Sequence, residues 1–255
     1  MSPLDYMNAY LNLPVILDNW EGDVASIDMY LNHGIQPRSG VAWKAGDQLI
    51  SEMSRETKTS WGSAQFTIDD FPIRAINIRR AFMGKGSPQD LKDAVWLAHR
   101  YGFVKNPERP RPGALTVAQY CRAYTGLDCN GFVGNYLAQH HNTSIEVYGA
   151  VANRLTDVGQ IRQGTSLVWV PPRGGQYPHI AIVNSAQVAG DVLSWDLVQS
   201  SGSLVNGGPA DGLRWGDWPK PVKEFKKDGR GHIYLPHGAV WLYPCNHALS
   251  ATPIP

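Results

Sequence analysis

The chain contains 255 residues, of which 43% are hydrophobic and 18% charged, a composition typical of a globular protein rather than a disordered one. The 23 Lys and Arg nearly balance the 22 Asp and Glu, so we expect no nucleic-acid partner. No apolar run approaches the roughly 20 residues that span a membrane. Residues 1–20 show no signal peptide.

Residues 1–85 are predicted to form an N-terminal extension that contains a small β unit. The pattern favours a short helix at residues 23–31. Apolar and polar residues alternate at residues 64–69 and again at residues 73–79, as they do in strands with one buried face. We expect these strands to form one compact unit within residues 40–82.

Two helices with clear N-terminal signals follow the extension. Ser87 is a suitable N-cap, with Pro88 in the first helical position and Asp90 in the first turn. Thr116 and Gln119 have the spacing of a capping box, in which each side chain binds a backbone N–H group of the other residue. We therefore expect helices to begin at these two points.

The second half of the chain is rich in predicted strands, which follow a third helix. The strands are expected at residues 166–170, 180–183, 192–199, 232–235 and 240–243. Helices followed by a run of antiparallel strands predict an α+β fold.

Cys129 carries the clearest chemical signal, because it falls in the first turn of the third predicted helix. Asp128 is predicted to cap this helix, and Gly131 and Gly134 allow another backbone to approach it closely. A helix N-terminus stabilises a thiolate, and its N–H groups can hold an oxyanion. The pattern indicates a nucleophile for acyl transfer, while a small buried cysteine would give the same local sequence.

A nucleophilic cysteine needs a base, and His179 stands at the start of an apolar strand, where a side chain is held rigidly. Its ring needs a partner to orient it, and the next predicted strand offers Gln199 and Asp196. Strand alternation places these two residues on opposite faces, so only one of them can face His179.

Four segments in this order resemble the NlpC/P60 family of papain-like cysteine peptidases. Asp-Cys-Asn-Gly-Phe-Val at residues 128–133 resembles the family's nucleophile motif, Asp-Cys-Ser-Gly-Phe/Leu-Val. His-Ile-Ala-Ile-Val at residues 179–183 resembles its His-Val-Gly-Ile-Tyr strand. Residues 198–202 resemble the segment with the third polar residue, and residues 161–168 resemble the Gly-Asp-Leu-Val approach to the histidine strand.

The resemblance implies a papain-like core in residues 86–255, with a Cys-bearing helix packed on an antiparallel sheet. It also implies hydrolysis of amide bonds in bacterial cell-wall (peptidoglycan) peptides, with Cys129 as nucleophile, His179 as base and Gln199 as orienting residue. Neither a metal ion nor an organic cofactor is expected, because thiol chemistry supplies its own nucleophile.

Further roles follow from the same resemblance. Tyr124 is a weaker candidate for a contact with the oxyanion or the substrate. Independently of the resemblance, Trp215 and Trp218 lie beyond Gln199 in a Gly- and Pro-rich segment, where they are candidates either for walls of the cleft or for ordinary packing. The small β unit within residues 1–85 would correspond to a cell-wall targeting module of the bacterial SH3 type. We expect the protein to act at the cell envelope or outside the cell.

The sequence leaves two other functions open. One is a different reaction on the same core, such as acyl transfer to an amine or lipid, or deamidation. The other is a binding protein without catalysis, in which Cys129 is vestigial. A disulfide between Cys121 and Cys245 also stays open, because spacing alone does not establish a pairing.

Overall fold

A computed structural model describes residues 1–31, 37–137, 144–202 and 212–247, and shows a mixed α+β protein. The chain divides into two compact units. We call Asn8–Gly131 with Gly202–Gly212 the helical unit, and Met1–Met7, Phe132–Ser201 and Leu213–Pro255 the sheet unit. The boundary predicted between residues 85 and 86 therefore falls inside the helical unit.

Helices predominate in the first half of the chain and strands in the second. In chain order, the helices are α1 (Pro3–Leu11), α2 (Pro37–Thr57), α3 (Ala75–Ala81), α4 (Pro88–Arg100), α5 (Val117–Tyr124), α6 (Cys129–Tyr136) and α7 (Ile145–Tyr148). The strands are β1 (Leu13–Ile16), β2 (Gly22–Ala25), β3 (Gln65–Ile68), β4 (Phe71–Arg74), β5 (Ser166–Val170), β6 (His179–Ala189), β7 (Val192–Ser201), β8 (Gly212–Asp217), β9 (Lys220–Pro221), β10 (Lys226–Lys227), β11 (Ile233–His237) and β12 (Val240–Cys245). Short 3₁₀ turns lie at Val151–Asn153, Val158–Gln160 and Val222–Glu224.

Helix α2 occupies part of the segment that was predicted to form the small β unit, so that part of the prediction is wrong. Its buried residues follow the i, i+3, i+7, i+8, i+11 pattern of one helical face: Ala42, Ala45, Leu49, Ile50 and Met53. Residues 40–57 are therefore helical, and the strand prediction for the wider segment extended too far toward the N-terminus.

Two further predictions in the extension are wrong. Residues 73–79 do not form one strand, because β4 ends at Arg74 and α3 buries Ala75, Ile78 and Ala81 at helical spacing. The helix expected at residues 23–31 is also absent, since β2 pairs with β1 there. Within residues 40–82 only the β3–β4 hairpin is extended, and the correspondence of residues 1–85 to an SH3-like module stays a prediction.

The N-terminal signals of α4 and α5 are confirmed. Ser87 and Asp90 form a capping box with Pro88 at the start of α4. Thr116 and Gln119 form a second capping box at the start of α5. Both boxes satisfy N–H groups that have no partner within the helix.

Arg100, the last residue of α4, fastens three parts of the helical unit together. Its side chain is 8% exposed and forms ion pairs with Asp18 after β1, Glu56 at the end of α2 and Asp69 between β3 and β4. Three carboxylates around one guanidinium satisfy its donors in several directions. The two hairpins are therefore held against α4 by charge as well as by apolar packing.

The sheet unit is built on an antiparallel sheet with the strand order β10-β11-β12-β5-β6-β7-β8, and β9 pairs with β7. One cluster of its apolar core joins the strands to residues 155–161, which include the second 3₁₀ turn. The buried members are Leu155, Val158, Ile161, Leu167, Val183, Leu193, Trp195, Leu197, Ile233, Leu235 and Leu242. The five strands predicted in this half are confirmed; their ends shift by at most two residues, except that β6 runs six residues further than predicted, to Ala189.

Strands β6 and β7 form a long hairpin, and this explains the 20 residues that separate His179 from Gln199. Ala189 pairs with Val192, so only two residues form the turn of this hairpin. Gly190 in that turn has a φ of 61°, which suits glycine.

Among the described residues, no helix combines the length and the apolar character that crossing a bilayer requires.

Candidate active site

Helix α6 begins at Cys129, which is 4% exposed, and Asp128 supplies the predicted cap. Asp128 Oδ1 accepts a hydrogen bond from the N–H group of Gly131 at 2.5 Å. Lys85 Nζ lies 2.7 Å from Asp128 Oδ2. Burial raises the pKa of Asp128, while Lys85 and the backbone N–H groups oppose that shift. The start of the helix is thus fixed by a cap and an ion pair.

The backbone next to Lys85 also contacts the start of α6. The N–H group of Asp128 donates to the carbonyl of Gly84 at 3.0 Å. A Cβ atom on Gly131 would overlap with the same carbonyl oxygen, so only glycine fits there. The close approach that the sequence predicted at Gly131 is confirmed, and its partner is residue 84.

His179 and Gln199 form a direct hydrogen bond in the sheet unit. The distance from His179 Nε2 to Gln199 Oε1 is 2.6 Å. An amide oxygen only accepts hydrogen bonds, so the proton of the neutral ring lies on Nε2. Nδ1 consequently keeps its lone pair, and it is the ring nitrogen that can accept a proton.

The surroundings of His179 favour the neutral imidazole. Burial lowers its pKa to about 4, the hydrogen bond to Gln199 opposes this, and the positive charge of Arg214 lowers the pKa further. The Trp169 ring meets the imidazole edge-on, with 4.7 Å between ring centres. At neutral pH the ring is therefore in the form that can take up a proton.

Asp196, the alternative partner for His179, is engaged elsewhere. Its carboxylate accepts hydrogen bonds from the N–H group of Ser185 (2.6 Å), from Asn184 Nδ2 (2.8 Å) and from Trp215 Nε1 (2.6 Å). Burial acts to raise its pKa, but these hydrogen bonds outweigh burial and lower it. The structure pairs Gln199 with His179, and Asp196 instead joins β6, β7 and β8.

A cavity of about 350 Å³ lies next to the His179–Gln199 pair. Its lining includes Gln199, Trp169 and the two tryptophans that were predicted to wall a cleft, Trp215 and Trp218. Arg214 also lines it, and sequence reasoning missed this residue. The available signal was weak, a charged residue directly before an exposed tryptophan.

The other candidates lie in different surroundings. Tyr124 contacts the ring of Tyr120 at 5.0 Å and lines a small cavity of about 70 Å³ in the helical unit. Cys121 and Cys245 are both buried thiols, and burial raises the pKa of each to about 12. The roles predicted for Tyr124, Trp215 and Trp218 stay predictions.

In the part of the chain that the structure describes, no three His, Cys, Asp or Glu side chains are grouped so that they could hold a metal ion. The charged groups next to the candidate catalytic residues are the Asp128–Lys85 ion pair at the start of α6 and Arg214 in the lining of the cavity beside Gln199. Comparison of the chain with family models, with curated proteins and with solved structures gave no match.

Proposed function

We propose that the protein is a cysteine peptidase or amidase of the NlpC/P60 kind, which hydrolyses amide bonds of bacterial cell-wall peptides. Cys129 would act as nucleophile, His179 as base and then acid, and Gln199 as orienting residue. The observation that carries the proposal is the 2.6 Å hydrogen bond between His179 and Gln199. It joins two residues that were selected from the sequence for those two roles.

The tautomer of His179 supports the same roles. Gln199 fixes the proton on Nε2, so Nδ1 is available to accept the thiol proton of Cys129. Asparagine or glutamine can orient a catalytic imidazole in this way without adding a negative charge. The neutral ring at pH 7 is suited to removing a proton, and the ring that results is suited to returning it.

The proposed reaction follows ordinary thiol chemistry. The thiolate of Cys129 attacks the carbonyl carbon, and the negative oxygen that forms is stabilised by N–H groups in the first turn of α6. His179 gives its proton to the leaving amine, and the C–N bond breaks. Water, deprotonated by His179, then hydrolyses the thioester, which releases the acid and regenerates the thiol.

The papain-like core and the place of action belong to the same proposal. A helix headed by cysteine and an antiparallel sheet that carries the His–Gln pair are compatible with such a core. A cell-wall substrate requires that the protein act at the envelope or outside the cell.

The first test is the alkylation of Cys129 by iodoacetamide as a function of pH, followed by peptide mass mapping. In the wild type we expect labelling that persists below about pH 6, because a thiolate next to His179 would raise the pKa of the ring above the value of about 4 that burial gives it, and the resulting imidazolium would stabilise the thiolate. In His179→Ala, labelling should need a pH near about 8.5, as for an ordinary thiol. Cys121 and Cys245 serve as internal controls, since the pKa of each thiol is raised to about 12 and both should stay protonated and unlabelled over this pH range.

His232→Ala provides a matched control, because His232 lies in the same unit and binds Asp228 rather than Gln199. Digestion of purified cell-wall peptides then separates the candidate functions. Release of a free amine without an added acceptor supports hydrolysis, whereas product formation only with an added amine or lipid supports a transferase. Equal labelling of Cys129 in wild type and His179→Ala, with no turnover, would favour the binding protein with a vestigial cysteine.

A further inference from the structure

Arg214 is a charged group beside the His179–Gln199 pair for which the proposed reaction has no use. It lies on β8 and lines the cavity of about 350 Å³ together with Gln199. Gln199 and Trp169, both in the lining, each contact the ring of His179. A molecule in this cavity is therefore separated from the His179 ring by one layer of side chains.

The guanidinium of Arg214 is exposed and has no counter-ion in the described part of the chain. It donates a hydrogen bond to Ser201 Oγ, and no described carboxylate forms an ion pair with it. By contrast, Arg100 and Arg154 are both paired with acidic side chains. A positive charge left unpaired at the wall of a cavity attracts an anionic group.

Two tryptophans hold the apolar walls of the cavity in fixed positions. Trp215 donates its indole N–H to Asp196 at 2.6 Å. Trp218 stacks on Trp195 with 5.7 Å between ring centres and an angle of 2° between the planes. Lys220 lies over the ring of Trp218, 4.6 Å from its centre. A short aliphatic segment fits between such walls with little loss of side-chain entropy in the protein.

The remaining charges in the lining limit which anions fit. Asp217, three residues beyond Arg214 on the same strand, also lines the cavity, as does His237. A nearby carboxylate repels groups with several negative charges, such as phosphates. A single carboxylate matches the planar guanidinium and can accept two parallel hydrogen bonds from it.

We propose that Arg214 binds a free carboxylate of the substrate, so that the protein prefers amides in which a short aliphatic segment joins a carboxylate to the carbonyl of the bond that is cleaved. This inference rests on the proposed function for the location of that bond. The carboxylate would sit at Arg214, the aliphatic carbons between Trp215 and Trp218, and the carbonyl toward His179. Arg214 is in this scheme a specificity residue, since it touches the substrate but takes no part in bond breaking.

Bound substrate would also alter the base. The groups that face His179 within the sheet unit are Gln199, Trp169 and the charge of Arg214, which lowers its pKa. A carboxylate on Arg214 would cancel part of that charge and make His179 more basic. A substrate without the carboxylate would leave the pKa of His179 lower. The preference for the carboxylate substrate should therefore appear in kcat as well as in KM.

The test compares two cell-wall peptides that differ in one group, the α-carboxylate of D-glutamate and its amide, D-isoglutamine. For the wild type we expect kcat/KM to be about 10- to 100-fold higher for the carboxylate peptide, the range expected for hydrogen bonds to a charged group. Arg214→Gln should remove most of that preference, and Arg214→Lys should restore part of it. Arg230→Gln, at an exposed arginine in the turn before β11, should leave the preference unchanged.

Binding of the same two peptides to Cys129→Ala, measured by calorimetry and by NMR of His179, separates this inference from the proposed function. Tighter binding of the carboxylate peptide, lost in Arg214→Gln, supports the role of Arg214 even if neither peptide is cleaved by the wild type. Equal affinity for the two peptides, or a preference that survives Arg214→Gln, overturns it even if both peptides are cleaved.

Discussion

The hydrogen bond between His179 and Gln199 gives a sharp electrostatic prediction. In Gln199→Glu a carboxylate replaces an amide whose oxygen lies 2.6 Å from His179 Nε2. A charge pair about 4 Å apart gains about 4 kcal/mol at an effective dielectric constant of about 20, which corresponds to about three pKa units. The apparent pKa of His179 should therefore rise from about 4 to about 7.

Imidazole NMR signals followed against pH would measure this shift directly. Gln187→Glu is the matched control, because Gln187 lies exposed on the same hairpin and pairs with Ser194. It should move the pKa of His179 by only a few tenths of a unit, since the added charge is screened by solvent. An unchanged pKa in Gln199→Glu would show that the two side chains are not in contact, and the proposed catalytic roles would lose their main support.

Three further predictions concern the helical unit. Arg100→Met leaves the carboxylates around it without their cation and should lower the free energy of unfolding by about 3 kcal/mol, measured by urea denaturation. Burial lowers the pKa of His99 below its value in the unfolded chain, so the unfolded protein takes up a proton first as the pH falls. The contribution of His99 to the free energy of unfolding should therefore be complete above about pH 6.5 and decline below it. His99→Gln should remove that decline. Gly131→Ala should destabilise the protein by about 2 kcal/mol, because the new methyl group overlaps with the carbonyl of Gly84.

The substitutions at Arg100 and Gly131 each have a matched control that should cause little or no loss of stability. Arg55→Met removes an arginine whose side chain is 80% exposed and should change stability by less than about 0.5 kcal/mol. Gly40→Ala adds a methyl group to a helical glycine that has nothing within 4 Å, so it should be neutral or stabilising. If Gly40→Ala and Gly131→Ala had equal effects, the close approach at residue 84 would not be the cause.

Local signals were sufficient for much of the fold. Capping residues predicted the starts of α4 and α5, because a cap depends on residues three positions apart. Alternation failed at residues 73–79, where Ala75 and Ile78 are three positions apart and so share one face of a helix but would lie on opposite faces of a strand. Helix α2 was missed although its apolar residues have helical spacing, because the strand pattern that follows it was extended backward.

Strand alternation alone could not choose the partner of His179, and only the resemblance to the NlpC/P60 family favoured Gln199. Alternation showed that Gln199 and Asp196 face opposite sides, but not which side His179 occupies. That depends on the register of β6 against β7, which shifts between Val183 and Ser185 and directs the N–H group of Ser185 to Asp196. Arg214 was beyond prediction for a similar reason, since its position depends on how β8 joins the sheet.

Gly84 and Lys85 lie just before α4, yet both are bound to Asp128 at the start of α6. A chain that began at residue 86 would lose the acceptor of the Asp128 N–H group and the counter-ion of its carboxylate together. During evolution, recombination could replace the N-terminal segment without disturbing this helix only if the crossover fell before Gly84. Residues 84 and 85 are thus expected to be inherited with the helix that carries Cys129, however much the sequence before them changes.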